Sequence, residues 1–206
     1  MEGMAKSTRR TFLTVSAAAA AAPLVVGEAA QAKPAAGVRE ILREIDPRRI
    51  EAIIRRLVAF GTRHTLSSQD DPVRGIGAAR DWIFAEMQRY AAGTPMTVEL
   101  QSFIQPVSPR VPEPTRITNV IATLPGSVSP ERIYVVTGHY DSRVTDVMNA
   151  TADAPGADDD ASGVAVVMEL ARVFAKSRIR PEATVVFAAV AGEEQGLYGS
   201  DHMAQV

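Results

Sequence analysis

Three acidic residues stand side by side in this sequence, in the stretch PGADDDASG from Pro155 to Gly163. Adjacent carboxylates repel one another and are costly to remove from water. A divalent cation lying among them would offset the repulsion, and so would the free N–H groups of a helix that begins at Ala161. The acidic run therefore predicts either a metal site or a solvated loop that caps a helix.

Two further polar clusters follow apolar runs of the kind that form strands. The segment GHYDS places His139 and Asp141 after the run 132–138, and GEEQG places Glu193 and Glu194 after the next run. Ligands of open α/β sheets bind beyond the carboxyl ends of the strands. Each cluster alone is explained as an ordinary surface loop, but their order and positions together favour one shared site at a sheet edge.

The composition limits the chemistry of such a site. The chain of 206 residues has no cysteine, so metal donors must be imidazole and carboxylate groups. That donor set suits zinc in a catalytic site, or manganese or cobalt. A formal net charge of -2, 5% aromatic residues and the lack of a basic stripe argue against nucleic acid as a partner.

The elements that must position these clusters follow from the spacing of apolar residues. The run 132–138 is apolar throughout, as in a strand buried at the centre of a sheet. We predict the α/β class, with a mixed, mostly parallel sheet and helices on both faces. The predicted helices cover 38–45, 47–59, 75–93, 161–177 and a last segment from Gly199, and the predicted strands cover 96–105, 116–126, 132–138 and 183–192.

The first 32 residues have the features of an export signal and lie outside the predicted domain at 33–206. Arg9 and Arg10 precede an apolar run that is shorter than the ~20 residues of a membrane-spanning helix, and AQA at 30–32 fits a cleavage site. The arginine pair predicts the twin-arginine route to the periplasm or the exterior. No stable membrane anchor is expected after cleavage, and an uncleaved anchor is the competing interpretation.

Taken in order, the segments TGHYDS, PGADDDASGVA and AGEEQGLYGS resemble the di-zinc aminopeptidases, family twenty-eight of the metallopeptidases. The segments GTRHT and NVIATLPG resemble the N-terminal part of that family, and the resemblance extends from about Ile41 to Ser200. It implies the three-layer fold of the zinc exopeptidases. It also implies hydrolysis of the N-terminal peptide bond of a peptide or protein by a zinc-activated water.

The resemblance also implies roles for five residues. His139 and Glu194 match ligands of the two zinc ions, and Asp159 matches the carboxylate that bridges them. Glu193 matches the general base, and Asp141 matches the acid that orients His139. The family frequently has a cis peptide bond after the bridging acid, which here corresponds to the bond between Asp159 and Asp160.

Two further ligands of that family, an Asp after the next strand and a His nearer the C-terminus, have no counterpart before Val206. His64, Asp201 and His202 lie outside the matching positions and are not assigned as ligands. We therefore expect an incomplete, N-terminal portion of the domain with an unpaired apolar sheet edge. Weak zinc binding and little peptidase activity are the expected consequences.

Three functions remain open at this point. The first is an exported zinc aminopeptidase. The second is a carboxypeptidase or a glutaminyl cyclase-like enzyme of the same fold. The third is a non-catalytic binding domain that retains the fold.

Overall fold

The computed structural model describes residues 36–206, and the predicted export signal at 1–32 lies outside these residues. Every helix and strand predicted from the sequence is present. None of the described helices is long and apolar enough to cross a membrane. The helices are α1 (Ala36–Arg43), α2 (Pro47–Val58), α3 (Ile76–Ala91), α4 (Ser162–Lys176), α5 (Glu193–Gly196) and α6 (Tyr198–Gln205). The strands are β1 (Thr97–Gln105), β2 (Thr115–Leu124), β3 (Ser129–His139) and β4 (Ala183–Val190).

The four described strands form one mixed sheet in the order β1-β2-β4-β3. The predicted mixed α/β sheet is confirmed, but its antiparallel share is larger than predicted. Only β3 and β4 are parallel, whereas β1 with β2 and β2 with β4 are antiparallel. The reason lies in the connections, because β1 and β2 follow each other as a hairpin while α4 provides the crossover that parallel pairing requires.

Helices cover both faces of the sheet, as predicted. The side chains of Val120 and Phe187 lie in the core that contains α2, α3 and α4. The adjacent residues of the same strands, Ile121 and Val186, lie in a second cluster against Met203 of α6. Successive side chains of a strand point to opposite faces, so a strand covered on both sides is buried along its length. This explains why every residue of β4 is buried.

The prediction that 132–138 is a buried central strand is wrong. Among the described strands β3 pairs with β4 alone and forms an edge of the sheet. Ile133, Tyr134 and Val135 are 58%, 57% and 51% exposed. An apolar run shows that a strand favours burial, but its position in the sheet depends on which neighbours pair with it. The observed edge agrees with the expected unpaired apolar edge.

The corner between α1 and α2 is tied to α4 by a buried carboxylate. Asp46 caps α2, as its position before a proline predicts, by accepting a hydrogen bond from the N–H of Arg48. The N–H of Asp46 donates to Glu169 of α4, which also accepts from Arg172 and Arg49. Burial of Glu169 opposes its ionisation, but the hydrogen bonds from Arg172 and Asp46 outweigh that effect and lower the pKa of Glu169.

Replacing Glu169 with Gln is expected to reduce the free energy of unfolding by about 3 kcal/mol at neutral pH, because two guanidinium groups lose their anionic partner. The lowered pKa adds a pH dependence, since stability from Glu169 is present above its unfolded pKa and is lost as the pH falls through the folded value. The difference between wild type and E169Q should therefore be constant above about pH 4.5 and shrink at lower pH. Urea unfolding across this range measures it. A difference that grows on acidification would contradict the account.

The exposed β3 edge predicts self-association, because an unpaired apolar strand offers free N–H and C=O groups to another chain. A Val135→Lys substitution places a charge on that edge and is expected to lower light scattering at equal protein concentration. Val38→Lys, at a residue of α1 that is 47% exposed, is the matched control. Equal scattering by both variants would show that association proceeds through another surface.

Candidate functional site

Three of the predicted site residues meet where β3 and β4 end. His139 is the last residue of β3 and lies in register with Val190 at the end of β4. Because the two strands are parallel, the segments that follow them leave from the same edge of the sheet. Nε2 of His139 is 3.0 Å from Oδ1 of Asp159 and 3.9 Å from Oε2 of Glu193. The predicted convergence of the three polar clusters is therefore present.

Asp141 is fully buried beneath this group and connects its parts. Its carboxylate accepts hydrogen bonds from Oγ1 of Thr65 and from the N–H groups of Glu193 and Glu194, at 2.9, 3.3 and 3.1 Å. Nδ1 of His139 is 3.5 Å from Oδ1 of Asp141 and 3.2 Å from its carbonyl oxygen. Contact with one ring nitrogen leaves the other directed at the acidic turn, which is the geometry that an orienting role requires.

The electrostatics of the group favour positive charge. Burial opposes protonation of His139, but the hydrogen bond with Asp141 and the charges of Asp141, Glu193 and Asp160 outweigh it and raise the pKa of His139 to about 9. Burial raises the pKa of Glu193, and neighbouring carboxylates add to this shift while His139 opposes it. Both directions show carboxylates crowded around one imidazole, an arrangement that a cation stabilises.

The three acids of the turn before α4 have different surroundings. The carboxylate of Asp160 accepts hydrogen bonds from the N–H groups of His139 and Gly163, at 3.0 and 2.8 Å. The side chain of Asp159 is 77% exposed and contacts His139, while Asp158 is exposed. Their repulsion is reduced because one carboxylate is bound by backbone N–H groups and two are in water. The peptide bond between Asp159 and Asp160 is cis, as the resemblance implied.

A fully buried arginine, Arg63, lies under the same turn and was not identified from the sequence. Burial lowers the pKa of Arg63 to about 10, although the charges of Asp141 and Asp160 act in the opposite direction. The guanidinium is therefore protonated at neutral pH and provides a positive charge below the carboxylates. An arginine in a polar loop usually remains exposed, so GTRHT gave no sign of this role. The guanidinium donates at 2.7–3.0 Å to the carbonyl oxygens of Leu57, Tyr140, Pro155 and Gly156.

An Arg63→Lys variant keeps the charge but cannot reach four carbonyl groups in a plane. We expect it to lose about 3 kcal/mol or more of unfolding free energy, since buried carbonyls lose their donors. Urea unfolding measures the loss. The control is Arg55→Lys, at an exposed residue of α2, which should change stability by less than about 0.5 kcal/mol. A stability of R63K equal to that of R55K would contradict the assigned role.

Glu194, the third predicted ligand, is not directed at His139. Its carboxylate is 9% exposed and accepts a hydrogen bond from Nε of Arg143 at 2.6 Å. Its carbonyl oxygen accepts from Arg110 at 3.0 Å. Within residues 36–206, no group of three or more His, Asp and Glu side chains is arranged to hold a metal ion. Of the predicted ligands, His139 and Asp159 are thus in contact with each other, whereas the carboxylate of Glu194 is paired with a guanidinium.

The histidines that were not assigned as ligands lie in other surroundings. His64 is fully buried, and its Nε2 is 2.9 Å from the carbonyl oxygen of Val147. The ring of His202 stacks on Phe103, with 4.1 Å between ring centroids.

Comparison with known proteins agrees with this geometry. The sequence model of peptidase family M28 matches residues 119–206. A protein of Pyricularia oryzae named as a probable zinc metalloprotease is 62% identical over 183 residues, which are 87% of this chain and 36% of that protein. The chain thus spans little more than a third of this relative's length.

Two solved structures share the fold. The LapA aminopeptidase of Legionella pneumophila superposes with a TM-score of 0.61 and 23% identity, over 82% of this chain and 40% of that one. The glutaminyl cyclase of Fimbriiglobus ruber has a TM-score of 0.61 and 23% identity, over 78% of this chain and 55% of that one.

The fold and site define an α/β protein of the zinc exopeptidase-like type, with its polar cluster at the ends of parallel strands. The match over residues 119–206, with the similarity to relatives named as probable zinc metalloproteases, assigns this segment of the chain to peptidase family M28.

The chemistry of the cluster fits the metal named for the relatives. An imidazole nitrogen and an exposed carboxylate oxygen, 3.0 Å apart in His139 and Asp159, are donor types that zinc accepts in catalytic sites. These two residues are the ones that would hold an ion in the present arrangement. Glu194 directly follows Glu193 in the chain, but its carboxylate oxygen Oε2 is bonded to Arg143.

Proposed function

We propose that this chain is part of an exported zinc metallopeptidase that removes N-terminal residues from peptides or proteins. The convergence of His139, Asp159 and Glu193 at the ends of two parallel strands is the observation that carries the proposal. The zinc metalloprotease name of the Pyricularia oryzae relative supports the reaction class. The shared fold of the LapA aminopeptidase supports cleavage at the N-terminus of the substrate. The Arg9–Arg10 pair supports export by the twin-arginine route to the periplasm or exterior.

Each residue has a defined part in this proposal. His139, Asp159 and Glu194 would hold the zinc in the complete site. Bound zinc supplies Lewis-acid activation of a water molecule and of the scissile carbonyl group. Glu193 accepts the proton of the attacking water and transfers it to the leaving amine.

The buried residue Asp141 serves the same reaction without contacting the substrate. It keeps the ring of His139 oriented and holds the N–H groups of Glu193 and Glu194. One carboxylate thereby fixes the distance between the proposed ligand His139 and the proposed base Glu193. Such outer partners of a ligating histidine commonly contribute to metal affinity and activity.

A second candidate activity is supported by the glutaminyl cyclase of Fimbriiglobus ruber, whose structure shares the fold. A carboxypeptidase and a non-catalytic binding domain are two further candidate functions. A panel of three substrates supplied with zinc separates them: an aminoacyl anilide, an N-acetylated peptide with a free C-terminus, and a peptide with N-terminal glutamine. Hydrolysis of the anilide alone supports the aminopeptidase. Measured on the longer protein of which this chain is proposed to be part, turnover of the second or third substrate assigns the carboxypeptidase or cyclase, and no turnover of any supports the binding domain.

Glu193→Gln removes the proposed base while keeping the size of the side chain. We expect its kcat on the aminoacyl anilide to fall by ~10²–10⁴-fold with little change in KM, because proton transfer rather than binding is lost. The absolute rate of the wild type should be low, since within residues 36–206 no group of three or more His, Asp and Glu side chains is arranged to hold a metal ion. Glu51→Gln on the exposed face of α2 is the control. Equal rates for E193Q and E51Q would exclude Glu193 as the base.

A further inference from the structure

The segment Arg143–Asp153, here called the covering loop, leaves the site next to Asp141 and returns just before the acidic turn. Its two ends are held together, because the hydroxyl of Ser142 donates to the carbonyl oxygen of Ala154 at 2.8 Å. The N–H of Ala154 donates to the carbonyl oxygen of Gly61 at 2.8 Å. The covering loop is therefore a closed excursion of the chain, and its middle needs contacts of its own to stay in place.

The middle of the covering loop is held by one carbonyl oxygen. That oxygen, of Val147, is 2.9 Å from Nε2 of His64 and 2.9 Å from Nε2 of Gln195. The N–H of Leu66 donates to Nδ1 of His64, so the ring proton of the neutral imidazole is on Nε2. Both side chains thus donate to Val147, and both lone pairs of its carbonyl are used.

The amide of Gln195 directs its Nε2 group at the carbonyl oxygen of Val147. Gln195 is buried, and its Oε1 has no hydrogen-bond partner among the described residues. Nε2 of Gln195 also lies 3.3 Å from Nε2 of His64. The reversed amide would place Oε1 against another acceptor, the Val147 carbonyl oxygen, and lose the bond to the covering loop. The observed orientation therefore leaves Oε1 of Gln195 without a partner among the described residues but keeps the hydrogen bond from Nε2 to Val147.

The loop has short-range hydrogen bonds of its own around Asp146 and Asn149. Its side-chain contacts with other segments, besides those to Val147, include the following bonds near its two ends. Arg143, its first residue, donates to Glu194 at 2.6 Å. Arg74 donates to the carbonyl oxygen of Thr151 and pairs with Asp153, but both of these charged side chains are substantially exposed. Contacts of exposed charges are individually weak. The bonds to Val147 are therefore the buried polar contacts that restrain the part of the loop nearest to Arg143.

We propose that His64 and Gln195 are positioning residues that latch the covering loop through Val147 and thereby keep Arg143 on Glu194. Gln195 directly follows Glu194 in the chain, and Val147 lies in the same loop as Arg143. The bond between Gln195 and Val147 therefore restrains both partners of the Arg143–Glu194 pair. That the latch controls the availability of a zinc ligand rests on the proposed function of Glu194. The existence of the latch is independent of that function, because its residues contact one another without a metal.

Trypsin cleavage after Arg143 tests the latch on the purified chain, without zinc or substrate. Arg143 is the only Lys or Arg between Arg132 and Arg172, so the product peptides report this loop alone. Gln195→Leu and His64→Leu are expected to raise the cleavage rate at Arg143 by about tenfold, as loss of a hydrogen bond shifts a local opening equilibrium. His64→Gln, which offers an amide donor to Val147, should restore most of the protection.

Two comparisons separate the latch from a general loss of stability. Thr118→Val removes a buried hydroxyl bonded to Ser102 in the sheet, and it should leave cleavage at Arg143 relative to Arg172 unchanged. If Gln195→Leu unfolds the chain, trypsin cleaves all sites together. The comparison of His64→Leu with His64→Gln then tests the latch. Equal cleavage at Arg143 in His64→Leu, His64→Gln and wild type would overturn the proposal. A failure of zinc or activity assays would affect the proposed function alone.

Discussion

The arrangement of the site depends on the buried guanidinium of Arg63. Its N–H groups are bound to backbone carbonyls rather than to carboxylates, so it fixes the course of the chain on both sides of the site. Its charge still acts on Asp141 and Asp160 through the low-dielectric interior. A buried cation without nearby anions is strongly unfavourable, and a buried anion equally so. Arg63 and the carboxylates above it therefore stabilise one another, and neither would be tolerated there alone.

This mutual dependence explains why three acids can stand side by side. Asp160 turns inward to the N–H groups of His139 and Gly163, whereas Asp159 turns outward to the ring of His139. Asp158 is exposed as well, so one acid of the run is bound by backbone N–H groups and two face outward. Asp159 is the outward acid that lies beside the imidazole, 3.0 Å from Nε2 of His139.

Sequence patterns predicted the elements well and the interactions between them less well. Apolar spacing and the Asp46 cap are local, and local rules determine where helices and strands begin. The edge position of β3 depends on strand pairing, which apolar content does not encode. The burial of Arg63 and the bond from Arg143 to Glu194 arise from contacts across more than fifty residues of sequence. Motif order identified the site because its residues follow strand ends, but the orientation of each carboxylate required the structure.

The bond between Ser142 and Ala154 has a consequence for how such proteins diversify. It joins the chain across the base of the segment between them, so insertions there change only a closed excursion whose entropic cost grows slowly with length. Asp141 and Asp159, which have parts in the proposed site, lie outside this segment, on either side of the junction. The junction therefore isolates the positions of these two carboxylates from changes in the length of the segment.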